Sequence, residues 1–245
     1  MISVCIATYN GEKFIRQQLD SILQQLGPDD EVIVSDDHST DHTLDIVAAF
    51  GDRRIKVLHH RPDEVTTTFP LDKPTHNFEH ALKHAGGDYI FLSDQDDVWM
   101  PGKCSTMLAA LEQADLAVHD CVVTDEDLRP LVGSYFDNVK VGTGVFRNWV
   151  KCTYLGCCMA FRRSVLERAL PFPRSKVGHD LWIGIVADMY FRTAIVDKPL
   201  LWYRKHADSA TTSGTKSRYG LWFKIDYRIA ILRHIAKLLL QRPRG

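Results

Sequence analysis

Asp88-Tyr-Ile-Phe-Leu-Ser93, running straight into Asp94-Gln-Asp96-Asp97-Val-Trp99, is the stretch on which the fold turns. An apolar run of strand length that ends in three carboxylates within four residues reads as a buried strand opening onto a polar rim. Carboxylates this close repel one another, so a turn with only structural duties seldom gathers them without a cation nearby. Mg²⁺ typically sits on one or two carboxylates plus substrate phosphates, and such an ion would account for the cluster. A solvated acidic loop leading into the next helix would account for it as well.

Upstream of this strand the pattern alternates. Ile2 to Thr8 is a continuous apolar run, and Phe14, Ile15, Leu19, Ile22, Leu23 and Leu26 then recur at helical spacing. Glu31 to Ser35 reads as a second strand, followed by a helix carrying Leu44, Ile46, Val47 and Phe50. Arg54 to His59 reads as a third, followed by a helix with Phe78, Ala81, Leu82 and Ala85. Strict alternation predicts βαβ units and a mostly parallel sheet with helices on both faces. A ligand then belongs at the carboxyl ends of the strands. Chemistry-bearing residues do gather there: Thr8-Tyr-Asn-Gly11 after the first strand, Ser35-Asp-Asp-His-Ser-Thr-Asp41 after the second, and Asp94-Gln-Asp96-Asp97 after the fourth. Each alone is an ordinary turn or helix start. Together on one edge they predict a site, because so many polar groups are expensive to bury for nothing.

The composition is that of a globular chain with a full core: 245 residues, 45% hydrophobic. A formal net charge of −1 gives no global attraction to nucleic acid. Cys5, Cys104, Cys121, Cys152, Cys157 and Cys158 show no Cys-x-x-Cys or metal-type spacing, which favours a reduced, cytoplasmic protein over a disulfide scaffold. The N-terminus enters a strand directly, unlike a secretory leader, and no apolar run reaches membrane-spanning length.

The second half is quieter. Leu116 to His119 and Cys152 to Phe161 read as strands, the latter with a kink at Gly156 that marks a simple bulge or a close approach to the backbone, which the family resemblance given below would assign to a donor. Residues 124–150 read as loop, and Thr193 to Val196 as a short strand. Gly178-His179-Asp180-Leu-Trp182 opens an apolar helical stretch, with Asp180 in the first turn, where a helix dipole favours a carboxylate. From Lys216 onward, basic residues at 216, 218, 224, 228, 233, 237, 242 and 244 face one acid, Asp226. Trp222, Ile225, Ile229, Leu232, Ala236 and Leu239 recur there at helical spacing. That pattern fits an amphipathic helix lying in a membrane interface, or one packed on the domain with a solvated basic face.

Ser3 to Gly11, Val34 to Asp41 and Phe91 to Trp99 resemble, in order and spacing, the three N-terminal motifs of the family 2 glycosyltransferases, and most of all the bacterial rhamnosyltransferase-type polysaccharide enzymes. The resemblance implies an α/β GT-A fold and inverting transfer from a nucleotide-activated sugar. It implies a nucleotide-sugar-binding half at 1–99 and an acceptor half at 100–215; it ends near residue 215, so the basic helix read at 216–245 stands apart from it. Ala7, Thr8, Tyr9, Asn10, Asp37 and Asp94 would bind the nucleotide, with Asp36 nearer the chain turn. Asp37 would accept the imide N–H of uracil or thymine, a donor that cytosine lacks. Asp96 and His206 would hold Mg²⁺ or Mn²⁺, Asp97 being an extra acid without an assigned role. Arg204 and Lys205 would neutralise phosphate, or belong to a lid continued by residues 209–215. Asp180 would be the general base, with His179 beside it. The implied partners are a UDP- or dTDP-sugar and a saccharide or lipid-linked saccharide acceptor, met in the cytoplasm or at the inner membrane face. Two rivals stand beside this: a nucleotidyltransferase, although Thr8-Tyr-Asn-Gly-Glu-Lys13 makes a poor phosphate loop, and a non-catalytic subunit that keeps the fold.

Overall fold

The computed structural model describes residues 1–60, 69–206 and 220–240. Strands β1 (Ile2–Thr8), β2 (Glu31–Asp36), β3 (Ile55–His59) and β4 (Tyr89–Asp94) alternate with helices α1 (Ile15–Leu23), α2 (Thr43–Ala48) and α3 (Asp72–Lys83). These four strands are parallel and lie in the order β3-β2-β1-β4. Nearly every residue of β1, β2 and β4 is buried, because helices cover both faces; this explains their unbroken apolar runs.

The strand order reverses between β1 and β4, which splays their neighbouring loops and leaves a crevice at their carboxyl ends. Register fixes what stands there: Ala7 lies opposite Asp94, and Thr8 opposite Asp36. The site motifs therefore share one rim as a result of strand pairing.

Beyond β4 come β5 (Val98–Trp99), α4 (Lys103–Leu111), β6 (Leu116–Thr124), β7 (Pro130–Val132), α5 (Tyr135–Asn138) and α6 (Val145–Val150). A 3-10 turn, Gly156–Cys158, leads into β8 (Met159–Arg162), then α7 (Arg163–Ala169), α8 (His179–Tyr190), β9 (Thr193–Arg204) and α9 (Leu221–Leu240). The sheet continues as β4-β8-β6-β9-β5, with β8 antiparallel to both β4 and β6, and β7 paired beside β6. The whole is a mixed α/β sheet of the GT-A type.

Several sequence expectations change here. The strand expected over 152–161 is a strand only from Met159, since Cys158 donates back to Leu155 in a tight turn around Gly156. The strand expected at 116–119 runs on to Thr124, past a buried Asp120 that accepts from the Cys121 and Phe136 amides. The short strand at 193–196 is the start of β9, which crosses Pro199 at a break in register where no ladder donor is required. Residues 124–150, expected as loop, hold β7, α5 and α6.

The core also contains a fully buried cation. Lys103 donates to the Cys157 carbonyl at 2.7 Å, and its ammonium stands 4.2 Å from the Trp99 ring centroid. Burial pulls its pKa below the ordinary lysine value. It ties the first helix after the acidic loop to the 3-10 turn.

Candidate active site

At the end of β1, Thr8 donates its hydroxyl to Asp36 at 2.9 Å, and Asp36 also takes the amide and hydroxyl of Ser39. Asp36 is buried by these bonds and braces the turn. Asn10, at a φ of 47°, accepts the Thr40 amide at 2.8 Å and donates its own amide to Ser39. Its side chain is thereby committed to the loop after β2. Gln95 clamps the third motif to the first, accepting from the Tyr9 amide at 2.9 Å and donating to the Tyr9 carbonyl at 3.0 Å. Tyr9 is 57% exposed, while Ala7 is half-buried and Thr8 buried.

Asp37 lies on the other side of this crevice, its amide bonded to the Thr8 carbonyl. One oxygen meets His60 Nδ1 at 3.1 Å, and the hydrogen bond from His60 holds the carboxyl below the usual carboxylate range. Asp37 is consequently an ionised acceptor, kept in place by a histidine just past β3. His60 obeys the same strand-end rule that singled out the other motifs, yet a lone histidine after His59 carried no pattern to mark it.

The acids after β4 form the electrostatic centre. Asp97 is fully buried; one oxygen accepts the Arg204 amide at 3.0 Å and the other has no hydrogen-bond partner. Burial, then the charges of Asp96 and Asp94, push its pKa well above the usual value. Burial, then the charges of Asp96 and Asp180, push Asp94 up to about 7. Asp96 meets His206 Nε2 at 2.6 Å. Carboxylate oxygens of Asp94 and Asp97 and the Cys157 sulfur lie within 4.8 Å of one another. An orphaned buried oxygen and carboxylates straining to stay protonated fit a cation placed among them. Oxygen-rich donors suit Mg²⁺ or Mn²⁺, for which a thiol is a poor ligand, so Cys157 would line the site while the acids bind. Sequence reasoning left Asp97 without a role and took Cys157 for core; only their folding together shows the cluster.

Arg204 closes this loop from behind. It is buried, donates Nε to the Asp96 carbonyl at 2.7 Å and Nη2 to Gln17 at 2.7 Å, also reaches the Glu126 carbonyl, and stacks 4.5 Å from the Phe14 centroid. A guanidinium so occupied positions the acidic loop. Lys205 is half-buried, with its amide on the Thr124 carbonyl. The lid expected over 209–215 lies outside the described residues.

The candidate base enters from α8. The Gly178 carbonyl starts the helix by accepting from Trp182, and Asp180 turns one oxygen to the Leu181 amide at 2.7 Å. Its charge is felt at Asp94 and adds to the burial that raises that carboxyl. His179 packs its ring 4.1 Å from that of Phe78, and burial holds it below the ordinary histidine range, hence neutral. A β-carbon on Gly156 would come within 2.7 Å of His179 Nε2. The backbone at Gly156 is thus approached by a histidine of this chain, a packing need that was read from sequence as room for a donor or a bulge.

Residues 3–170 match the family model described as glycosyl transferase family 2. The chain belongs to that family. As a family 2 glycosyltransferase it has recognisable relatives. It is 27% identical over 193 residues to UDP-Glc:alpha-D-GlcNAc-diphosphoundecaprenol beta-1,3-glucosyltransferase WfgD of Escherichia coli, covering 77% of this chain and 70% of that protein. It is 35% identical over 109 residues to the dTDP-rhamnosyl transferase RfbG of Shigella flexneri, covering 43% of this chain and 36% of that protein. Among solved structures, S. aureus TarS 1-349 in complex with UDP-GlcNAc superposes with a TM-score of 0.71 at 22% identity, over 100% of this chain and 68% of that one. Glucosyl-3-phosphoglycerate synthase from Mycobacterium tuberculosis in complex with Mn²⁺ and UDP superposes with a TM-score of 0.56 at 21% identity, over 98% of this chain and 78% of that one. These likenesses establish the GT-A fold of this glycosyltransferase.

Proposed function

We propose that this transferase moves a sugar from a UDP- or dTDP-linked donor to a saccharide or lipid-linked saccharide, with inversion, at the cytoplasmic face of a membrane. The observation that supports the reading is the gathering of Asp94, Asp97 and Cys157 within 4.8 Å of one another beside the Asp96–His206 pair, with Asp180 near enough for its charge to bear on Asp94. Names of relatives that use UDP-glucose on a diphosphoundecaprenol-linked sugar, or transfer dTDP-rhamnose, supply the donor and acceptor classes.

In this reading Tyr9 stacks beside the base, and Asp37, kept ionised by His60, accepts the imide N–H. Asp94, Asp96, Asp97 and His206 would hold Mg²⁺ or Mn²⁺, which when bound offsets the charge on the departing diphosphate. Asp180 takes the proton from the acceptor hydroxyl as its oxygen attacks the anomeric carbon opposite the diphosphate, and the bond to the diphosphate breaks with inversion. Neutral His179, wedged between Phe78 and Gly156, keeps Asp180 aimed.

Calorimetric titration with UDP and with dTDP, each with Mn²⁺ and with chelator, tests this. Metal-dependent binding of one or both is expected, and its loss in Asp96→Ala. Binding of neither refutes the donor and metal assignments.

A further inference from the structure

We propose that the outward side of α9 is a docking surface for an anionic lipid bilayer. The apolar stripe recognised in the sequence does not face the domain. The helix instead packs through Ala230, Ile231 and Leu238, seating Ile231 against Leu181 and Ile185 of α8. Trp149 donates its indole N–H to the Arg228 carbonyl at 3.0 Å, and Lys176 pairs with Asp226 at 2.5 Å, so this seating is specific. On the opposite side Trp222, Ile225, Ile229, Leu232 and Leu239 are left 83%, 39%, 42%, 45% and 64% exposed.

At 1.5 Å per residue this stripe runs about 25 Å along the helix. Soluble monomers seldom leave so continuous an apolar surface in water. By helical geometry Lys224 and Arg228 flank the stripe on one side, Arg233 and Lys237 on the other. The one acid within α9, Asp226, is already paired with Lys176. Apolar residues between two rows of cations match a helix lying in the plane of an anionic interface. A second copy of this chain would set cations against cations.

The inner side gives the docking a use. Tyr227 packs against the cluster of Leu181, Ile185 and Ile231, so this side of α9 lies beside the start of α8, where Asp180 stands. A bilayer on the outer side would then bring lipid-linked acceptors to Asp180. That purpose rests on the proposed function, whereas bilayer binding itself does not.

The test is co-sedimentation of the full chain with vesicles of phosphatidylcholine alone and of phosphatidylcholine with phosphatidylglycerol, at moderate salt. Partitioning should rise about tenfold or more with the anionic lipid. Ile225→Asp/Ile229→Asp and Arg233→Glu/Lys237→Glu should each lower it about tenfold, with Mn²⁺–UDP affinity unchanged. Tryptophan emission should shift to the blue on anionic vesicles, and Trp222→Phe, which keeps the surface apolar, should remove most of that shift. Failure of the unaltered chain to bind anionic vesicles, equal binding by both double variants, or a solution dimer dissolved by Ile225→Asp/Ile229→Asp overturns the proposal. Vesicle binding without any nucleotide binding supports it while refuting the transferase assignment.

Discussion

Replacing Gly156 by alanine should damage catalysis without touching nucleotide binding. The added β-carbon lies 2.7 Å from His179 Nε2, where ordinary contact begins near 3.4 Å, so the ring must move by about 0.7 Å. It cannot retreat freely, because Phe78 stands 4.1 Å behind it. Overpacking of this kind costs about 1–3 kcal/mol. At this chain length that is roughly 2–4 °C of melting temperature per kcal/mol. His179 is the backbone neighbour of Asp180, and a misplacement of about 1 Å at a reacting group costs on the order of a hundredfold, so turnover should fall roughly tenfold to a hundredfold. The assay is a double-mutant cycle with His179→Ala, read by melting temperature, Mn²⁺–UDP affinity and transfer rate. With the ring removed, Gly156→Ala should cost less than about 0.5 kcal/mol. Equal destabilisation in both backgrounds, or undiminished turnover in the single variant, would refute the wedge.

Asp180→Asn should keep donor affinity and lose about 10²- to 10⁴-fold in transfer, measured at saturating donor; near-normal transfer would show that another group takes the proton. Arg204→Lys should lose about 2–4 kcal/mol in urea unfolding, because an ammonium cannot serve the Asp96 carbonyl, Gln17 and the Glu126 carbonyl at once. A loss under about 0.5 kcal/mol would contradict the clamp. Mn²⁺ affinity should fall as pH drops below about 7, by up to about tenfold per unit for each proton displaced, since burial and neighbouring charge keep Asp94 protonated there. The linkage has a matching sign in metal-free protein: a carboxyl raised from about 4 to about 7 binds more protons folded than unfolded. Stability should therefore decline as pH rises across that window, and Mn²⁺ should restore it in thermal melts.

The first half of the fold was legible because β1, β2 and β4 are buried on both faces and leave continuous apolar runs. The second half hides its strands. β6 carries the buried Asp120 in mid-strand, and β9 is broken by Pro199 and exposes several residues near its start. Neither gives a clean period, since a buried acid interrupts one and a proline with exposed neighbours interrupts the other. The same holds at the candidate site. Asp94, Asp96 and Asp180 announced themselves by charge and position, whereas His60, Gln95 and Cys157 act through contacts of twenty or more residues in sequence. The helical period of the C-terminal segment was plain, but which of its two apolar sides meets the domain depends on α6 and α8.

The reach of Arg204 sets an order of events during synthesis. It joins the acidic loop to Gln17 across 187 positions, and its amide holds Asp97. A nascent chain that has released only the βαβ units can form β1 through β4 and display all three strand-end motifs. Its acidic loop would still want the brace that arrives with the end of β9. Contacts between such distant residues form late and fold slowly. Ribosome-bound intermediates therefore carry an unbraced acidic loop until the end of β9 has emerged.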